Sequence, residues 1–249
     1  MKESNKLWLK KLFKNGITKL PNVEKKFLPN FNSKFDKNDL EILLDNHFNK
    51  NNNFKFLVRD RTFIDKYKKI SGSDYGFIEL INPDELPKDS KYFINPIFIK
   101  SYLSSIGISI KPNYISYYIY DNINLPRRLH HDTNYDSFKI FVALSNISDI
   151  TYGPYVFVKG SQNDFLYKIS DLVSSTGIRR TGGDSYDAAW IKWKDIIYPY
   201  LKRGEVIITN QKGIHGDLPS VKNKSKILLA ICFNQKNIKI IFDKILDYR

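Results

Sequence analysis

Two side chains able to hold a metal ion stand two residues apart in Leu129-His130-His131-Asp132-Thr133, just past the middle of the chain. In an extended strand, residues i and i+2 project to the same face. His130 and Asp132 can therefore share one ion, while His131 faces the other way. A third ligand must come from elsewhere, and the chain has only four histidines: His47, His130, His131 and His215. His215 follows a strand-like run, Glu205 to Thr209, and sits in a turn flanked by Gly213 and Gly216. His47 lies just before a polar stretch and reads as a surface histidine. Two imidazoles and one carboxylate on one side of an ion leave three positions open. That is the facial triad of non-haem Fe(II) oxygenases.

The elements that must position these groups can be read from the hydrophobic pattern. Lys6 to Phe13 reads as a helix with Leu7, Trp8, Leu12 and Phe13 on one face. Gly16 stops it, and Ile17 to Leu20 is extended up to Pro21. A short basic amphipathic helix can lie on a membrane surface, but this one runs straight into a strand, which favours packing on the domain's own core. Asp36 is placed to cap a helix through Leu40, Ile42, Leu43 and Leu44. Asn49 to Asn53 is a polar loop, and Pro83, Pro87 and Pro96 punctuate a linker-like region before a helix over Ile97 to Ser105.

From Asn113 short β-rich runs alternate with turns: Tyr114 to Tyr120, Phe138 to Leu144, Pro154 to Val158, Glu205 to Thr209 and Ile227 to Phe233. Strands of this kind behind helices predict an α+β, mainly β chain. Its core would be a double-stranded β-helix, a cupin-like jelly roll buttressed by N-terminal helices. One domain over residues 1–249 is expected, with a helical buttress over 1–112 and the jelly-roll core over 113–235. The stretch from about 170 to 200, with Arg179, Arg180, Gly182, Gly183, Trp190 and Trp193, breaks the strand rhythm and reads as a lid-like insertion.

Composition narrows the function classes. The 249 residues carry 42% hydrophobic residues, enough to bury a core without staples. The formal charge of +14 suits anionic partners. Its lysines are scattered along the whole chain, as a genomic composition bias would leave them. No recognised nucleic-acid motif or basic-aromatic stripe is present, so no specific nucleic acid is expected as a partner. No apolar run reaches the length of a membrane span. The single Cys232 excludes an internal disulfide. With no signal-peptide pattern at Met1 to Lys6, a cytoplasmic setting is expected.

His-x-Asp alone is a weak motif, but here it comes in order with others. Phe138 to Asn146 is an apolar strand. Tyr152-Gly153-Pro154-Tyr155 leads to Gly160-Ser161-Gln162, and Gly204-Glu205-Val206-Ile207-Ile208 leads to His215. This order resembles the phytanoyl-CoA dioxygenase-like family of Fe(II)/2-oxoglutarate oxygenases over most of the chain, most strongly from His130 to Phe233. The resemblance implies Fe(II) held by His130, Asp132 and His215, with 2-oxoglutarate as cosubstrate and O2 as oxidant. It implies a dioxygenase that hydroxylates an unactivated C–H of a small-molecule substrate and releases succinate and CO2. Retention of Asp132 argues for hydroxylation over halogenation, which needs the carboxylate position vacated for a halide.

The sequence departs from the family pattern in two places. The usual His after Gly-Ser is Gln162, which is not a metal ligand there. The family's Arg about eleven residues after the distal His, which binds the far carboxylate of 2-oxoglutarate, is Lys226 here. Lysine supplies the charge without the planar fork. Alternation puts Lys226, Leu228, Ala230 and Cys232 on one face, where small residues leave room for a cosubstrate. Lys139 is the alternative cation. Arg128 stands where family members often place a polar residue near the cosubstrate, and Tyr118 and Tyr120 could hydrogen-bond it. Two other classes stay open: another cupin-type metalloenzyme, and a non-catalytic jelly-roll protein binding anionic ligands.

Overall fold

The computed structural model describes residues 3–29, 57–60, 77–86, 88, 92–121, 129–132, 136–163, 193–221 and 224–234. Several expectations lie outside these residues: the helix from Asp36 through Leu44, the Asn49 to Asn53 loop, His47, Pro87, Arg128, and Arg179, Arg180, Gly182, Gly183 and Trp190 of the insertion.

The chain opens with α1 (Glu3–Asn15). Its inward face is Trp8, Leu9 and Leu12, all buried, whereas Leu7 and Phe13 are 57% and 48% exposed. The expected face is corrected by rotation. At about 100° per residue, Leu7 falls roughly 150° and Phe13 roughly 90° from the centre of the buried arc. Gly16 ends the helix at φ 77, with its N–H on the Leu12 carbonyl. A left-handed conformation there suits glycine. A Cβ would also lie 2.6 Å from the Phe157 ring and against the Gln162 side chain. The chain then leaves directly as β1 (Ile17–Leu20).

Strands β2 (Leu57–Asp60) and β3 (Phe77–Ile81) follow. Helix α2 (Pro96–Ser105) begins at Asn95, whose side chain accepts from the Ile97 N–H, with Pro96 in the first turn. Next come β4 (Tyr114–Asp121), β5 (Phe138–Ala143), β6 (Tyr155–Val158), β7 (Ile196–Ile197), β8 (Val206–Asn210), β9 (His215–Asp217) and β10 (Ser225–Phe233). All five strands expected after Asn113 are present. The described part of residues 1–112 supplies α1 and α2 and also β1, β2 and β3. No helix among the described residues is long and apolar enough to cross a membrane.

Among the described residues, seven strands form one antiparallel sheet in the order β1-β8-β5-β10-β4-β3-β2, and three form a second, β7-β6-β9. The architecture is α+β, mainly β, with a double-stranded β-helix core. Strand β10 lies between β4 and β5, and both of its faces are covered. Ile227, Leu229, Ile231 and Phe233 join Trp8, Leu9, Leu12, Leu103, Ile119 and Ile140 in the core shared with the helices. Leu228, Ala230 and Cys232 join Tyr118, Phe141, Ala143, Tyr155 and Phe157 in the core between the sheets. A strand buried on both sides reads as an unbroken apolar run, which is why Ile227 to Phe233 shows no alternation of polarity. Each of its fully buried aliphatic side chains contributes about 1.5–3 kcal/mol. Burial pushes the Cys232 thiol up to about 11, so it remains a protonated small filler.

Gly16 joins helix, sheet and second sheet at one point. Gly16→Ala should lower stability by roughly 2–3 kcal/mol through φ strain and overpacking, read as a fall in the urea midpoint with an unchanged slope.

Candidate metal centre

The three predicted ligands meet. His130 and His215 face each other across an isolated antiparallel bridge, each N–H donating to the other's carbonyl at 2.8 Å. Two residues on, the Asp132 N–H donates to the Gln211 carbonyl at 3.0 Å. These main-chain bonds fasten the His-x-Asp segment along the edge of the small sheet. Alternation then returns His130 and Asp132 to one face. The donor atoms of His130, Asp132 and His215 all lie within 4.8 Å of one another. His130 Nε2 is 3.4 Å from Asp132 Oδ1, and His215 Nε2 is 3.7 Å from Oδ2. Ligands each about 2.1 Å from one ion lie roughly 3 Å apart when adjacent, so a small contraction around an ion would complete the site. His131 is not part of this group.

The turn carrying His215 is built to set its tautomer. Gln211 donates its N–H to the Ser137 carbonyl, Gly213 to Asn210, and Ile214 to the Ser161 hydroxyl. A Cβ on Gly213 would meet the Phe157 ring, which explains the glycine. The Gly213 carbonyl faces His215 Nδ1 at 2.9 Å. A carbonyl only accepts, so Nδ1 carries the proton and Nε2 presents its lone pair to the triad. Burial also lowers the His215 pKa, against the pull of Asp132. Burial alone would raise the Asp132 carboxyl, but its polar neighbours His130 and His215 and the Lys139 charge hold it far below the usual carboxylate range. The donor set is two imidazoles and one carboxylate, with Asp132 the more open member at 22% side-chain exposure.

A cavity of about 250 Å³ opens beside the triad. Tyr118, Phe141 and Tyr155 form an aromatic run along it, with centroids 5.9 and 5.2 Å apart, and Tyr155 stacks on His215 at 5.7 Å. Burial raises the Tyr118 and Tyr155 hydroxyls well above their ordinary values, so both remain neutral hydrogen-bonding groups. Lys139 on β5 also lines the cavity, with its ammonium 2.6 Å from Asp132 Oδ2 and over the Tyr118 ring at 5.7 Å. Burial opposes its charge, but Asp132 more than compensates and raises its pKa.

Lys226 is placed differently. It is 1% exposed and bridges the two sheets, with its ammonium on Asp217 Oδ1 and the Gly153 carbonyl and 4.1 Å from the Tyr120 ring centroid. Tyr120 donates its hydroxyl to the other Asp217 oxygen at 3.2 Å. Burial lowers the Lys226 pKa, partly offset by Asp217. Sequence reasoning did not single out Asp217, Gln211, Glu79 or Tyr114 as lining the cavity. Asp217 alone had a signal, two residues after His215 on the same strand face. Gln162, where the resemblance expects a histidine, donates its side-chain amide to the Phe13 carbonyl and serves the α1 junction.

No protein-family model matches the chain, and no curated protein sequence does. Solved structures do match it. AviO1 from Streptomyces viridochromogenes aligns with a TM-score of 0.54 at 10% identity, covering 93% of this chain and 95% of that one. The non-haem α-ketoglutarate-dependent epimerase SnoN from nogalamycin biosynthesis aligns at 0.52 and 11% identity, covering 92% and 82%. EvdO2 from Micromonospora carbonacea var. aurantiaca, complexed with 2-oxoglutarate, aligns at 0.50 and 13% identity, covering 93% and 90%. At such identities the likeness establishes the fold, and the chain is built on the same double-stranded β-helix as these proteins.

Proposed function

We propose that this chain is an Fe(II)- and 2-oxoglutarate-dependent oxygenase that hydroxylates an unactivated C–H of a small-molecule substrate. The observation that carries the reading is the convergence of His130, Asp132 and His215 beside a cavity. Three protein ligands on one side of an ion suit an oxygenase that must also bind a cosubstrate and O2. The structural neighbours support the reading, since SnoN is described as α-ketoglutarate dependent and EvdO2 was crystallised with 2-oxoglutarate. Within the class, the motif order favours the phytanoyl-CoA dioxygenase-like group.

With iron, 2-oxoglutarate and O2 bound, such a centre would oxidise a substrate C–H to C–OH, with one oxygen atom of O2 going to the product and the other to succinate as CO2 is released. This chain's residues then have separate tasks. His215, held by the Gly213 carbonyl, keeps Nε2 unprotonated toward the ion. Asp132, kept ionised by its neighbours, supplies the anionic ligand. The wall of Tyr118, Phe141 and Tyr155 limits water at the reacting centre. Tyr118 offers a neutral hydroxyl to the cosubstrate or substrate. An excess of 40 basic over 26 acidic residues favours an anionic substrate.

Two measurements test the reading. Protein stripped with a chelator should bind one equivalent of Mn(II) by calorimetry. Asp132→Ala or His215→Ala should weaken that binding about a hundredfold or more, while His131→Ala should not. Equal affinity in all four proteins would remove the triad assignment. Supplied with Fe(II), ascorbate, O2 and 2-oxoglutarate, the protein should form succinate slowly without added substrate. His130→Ala and Asp132→Ala should abolish it. No succinate from the metal-loaded parent would instead favour a binding protein on the same frame.

A further inference from the structure

The cosubstrate reading leaves open which cation receives 2-oxoglutarate, and the structure offers two lysines facing the space between the sheets. We propose that Lys139, not Lys226, carries the electrostatic grip on the cosubstrate carboxylate, and that Lys226 and Asp217 form a closed, charge-neutral floor of the cavity.

The partners of the two ammonium groups differ. Lys226 has an ion pair to Asp217, a hydrogen bond to the Gly153 carbonyl and the face of Tyr120 around it. Three N–H groups have three places to go. Asp217 is likewise taken, by Lys226 on one oxygen and by the Tyr120 hydroxyl on the other. An incoming carboxylate would have to displace a carboxylate already in place and leave Asp217 buried beside it. Stranding a charge in this way is strongly unfavourable.

Lys139 is in the opposite position. It lines the cavity with the triad. Among the described residues, Asp132 is its one hydrogen-bond partner and the Tyr118 face lies off at 5.7 Å, which leaves at least one N–H group for a ligand. Charge balance points the same way. An Fe(II) ion, Asp132 and Lys139 together carry two positive charges. A doubly anionic cosubstrate cancels them, while the Lys226–Asp217 pair contributes none.

The test uses the full chain saturated with Mn(II) and 2-oxoglutarate as the titrant, read by calorimetry without turnover. Manganese affinity is measured separately for each variant, so that a weakened ion site is not mistaken for a weakened cosubstrate site. Lys139→Met should bind 2-oxoglutarate roughly 30-fold or more weakly, the loss expected when one partner of a buried charge pair is truncated. Lys139→Arg should recover most of it. Because removing one member of the buried pair strands the other, the floor is tested by Asp217→Asn together with Lys226→Met. That double variant should bind within about threefold of the parent, a change under 1 kcal/mol. Parent-like binding in Lys139→Met, or a 30-fold loss in the double variant, overturns the proposal. If the manganese-loaded parent binds no 2-oxoglutarate, the oxygenase reading itself falls, a pattern distinct from either.

Discussion

The centre depends on a pair of main-chain hydrogen bonds. His130 and His215 lie on segments far apart in sequence, and each peptide group donates to the other. The ladder fixes the two imidazoles side by side, with ring centroids 4.5 Å apart, before any ion is considered. Side chains alone could not hold this spacing, since each would lose rotamer freedom on its own. Backbone pairing settles both residues at once, and the i+2 rule, with the Asp132 N–H on the Gln211 carbonyl, then delivers Asp132.

Around that pair the molecule separates two jobs. The face of the large sheet toward α1 and α2 is apolar and supplies stability. The face toward the small sheet is mixed, with Lys139, Thr209 and Tyr118 among Phe141, Ala143 and Leu228. Buried polar groups on that face cost stability unless they are partnered. Lys139 and Lys226 each meet that demand with a carboxylate, one from Asp132 and one from Asp217 on β9. Polar investment is therefore concentrated beside the cavity, where a ligand can use it.

Much of this was legible in the sequence because the signals were local. A scarcity of histidines narrowed the triad, and two-residue alternation placed Asp132. Period-two and apolar runs located β4, β5, β6, β8 and β10. What stayed hidden was set by tertiary contacts. Strand β9 has three residues, too few for a pattern of its own, and exists because β6 and His130 pair with it. Strand β3 precedes a proline-punctuated stretch that masked it. The face of α1 was misjudged because a run with Leu7, Trp8, Leu9, Leu12 and Phe13 allows several arcs, and packing against the sheet selects one. The pairing of Lys226 with Asp217 stayed hidden because nothing local shows that Asp217 approaches it from the opposite sheet.

The placement of β10 has a consequence for how the molecule is assembled. The middle of the large sheet comes from the last described strand, so on a ribosome β4 and β5 emerge with an empty lane between them. Neither can close its inner edge until residues 225–233 arrive. Edges left open in this way are sites for wrong pairing. Synthesis from the N-terminus therefore leaves the nascent chain vulnerable in the interval before β10 is added.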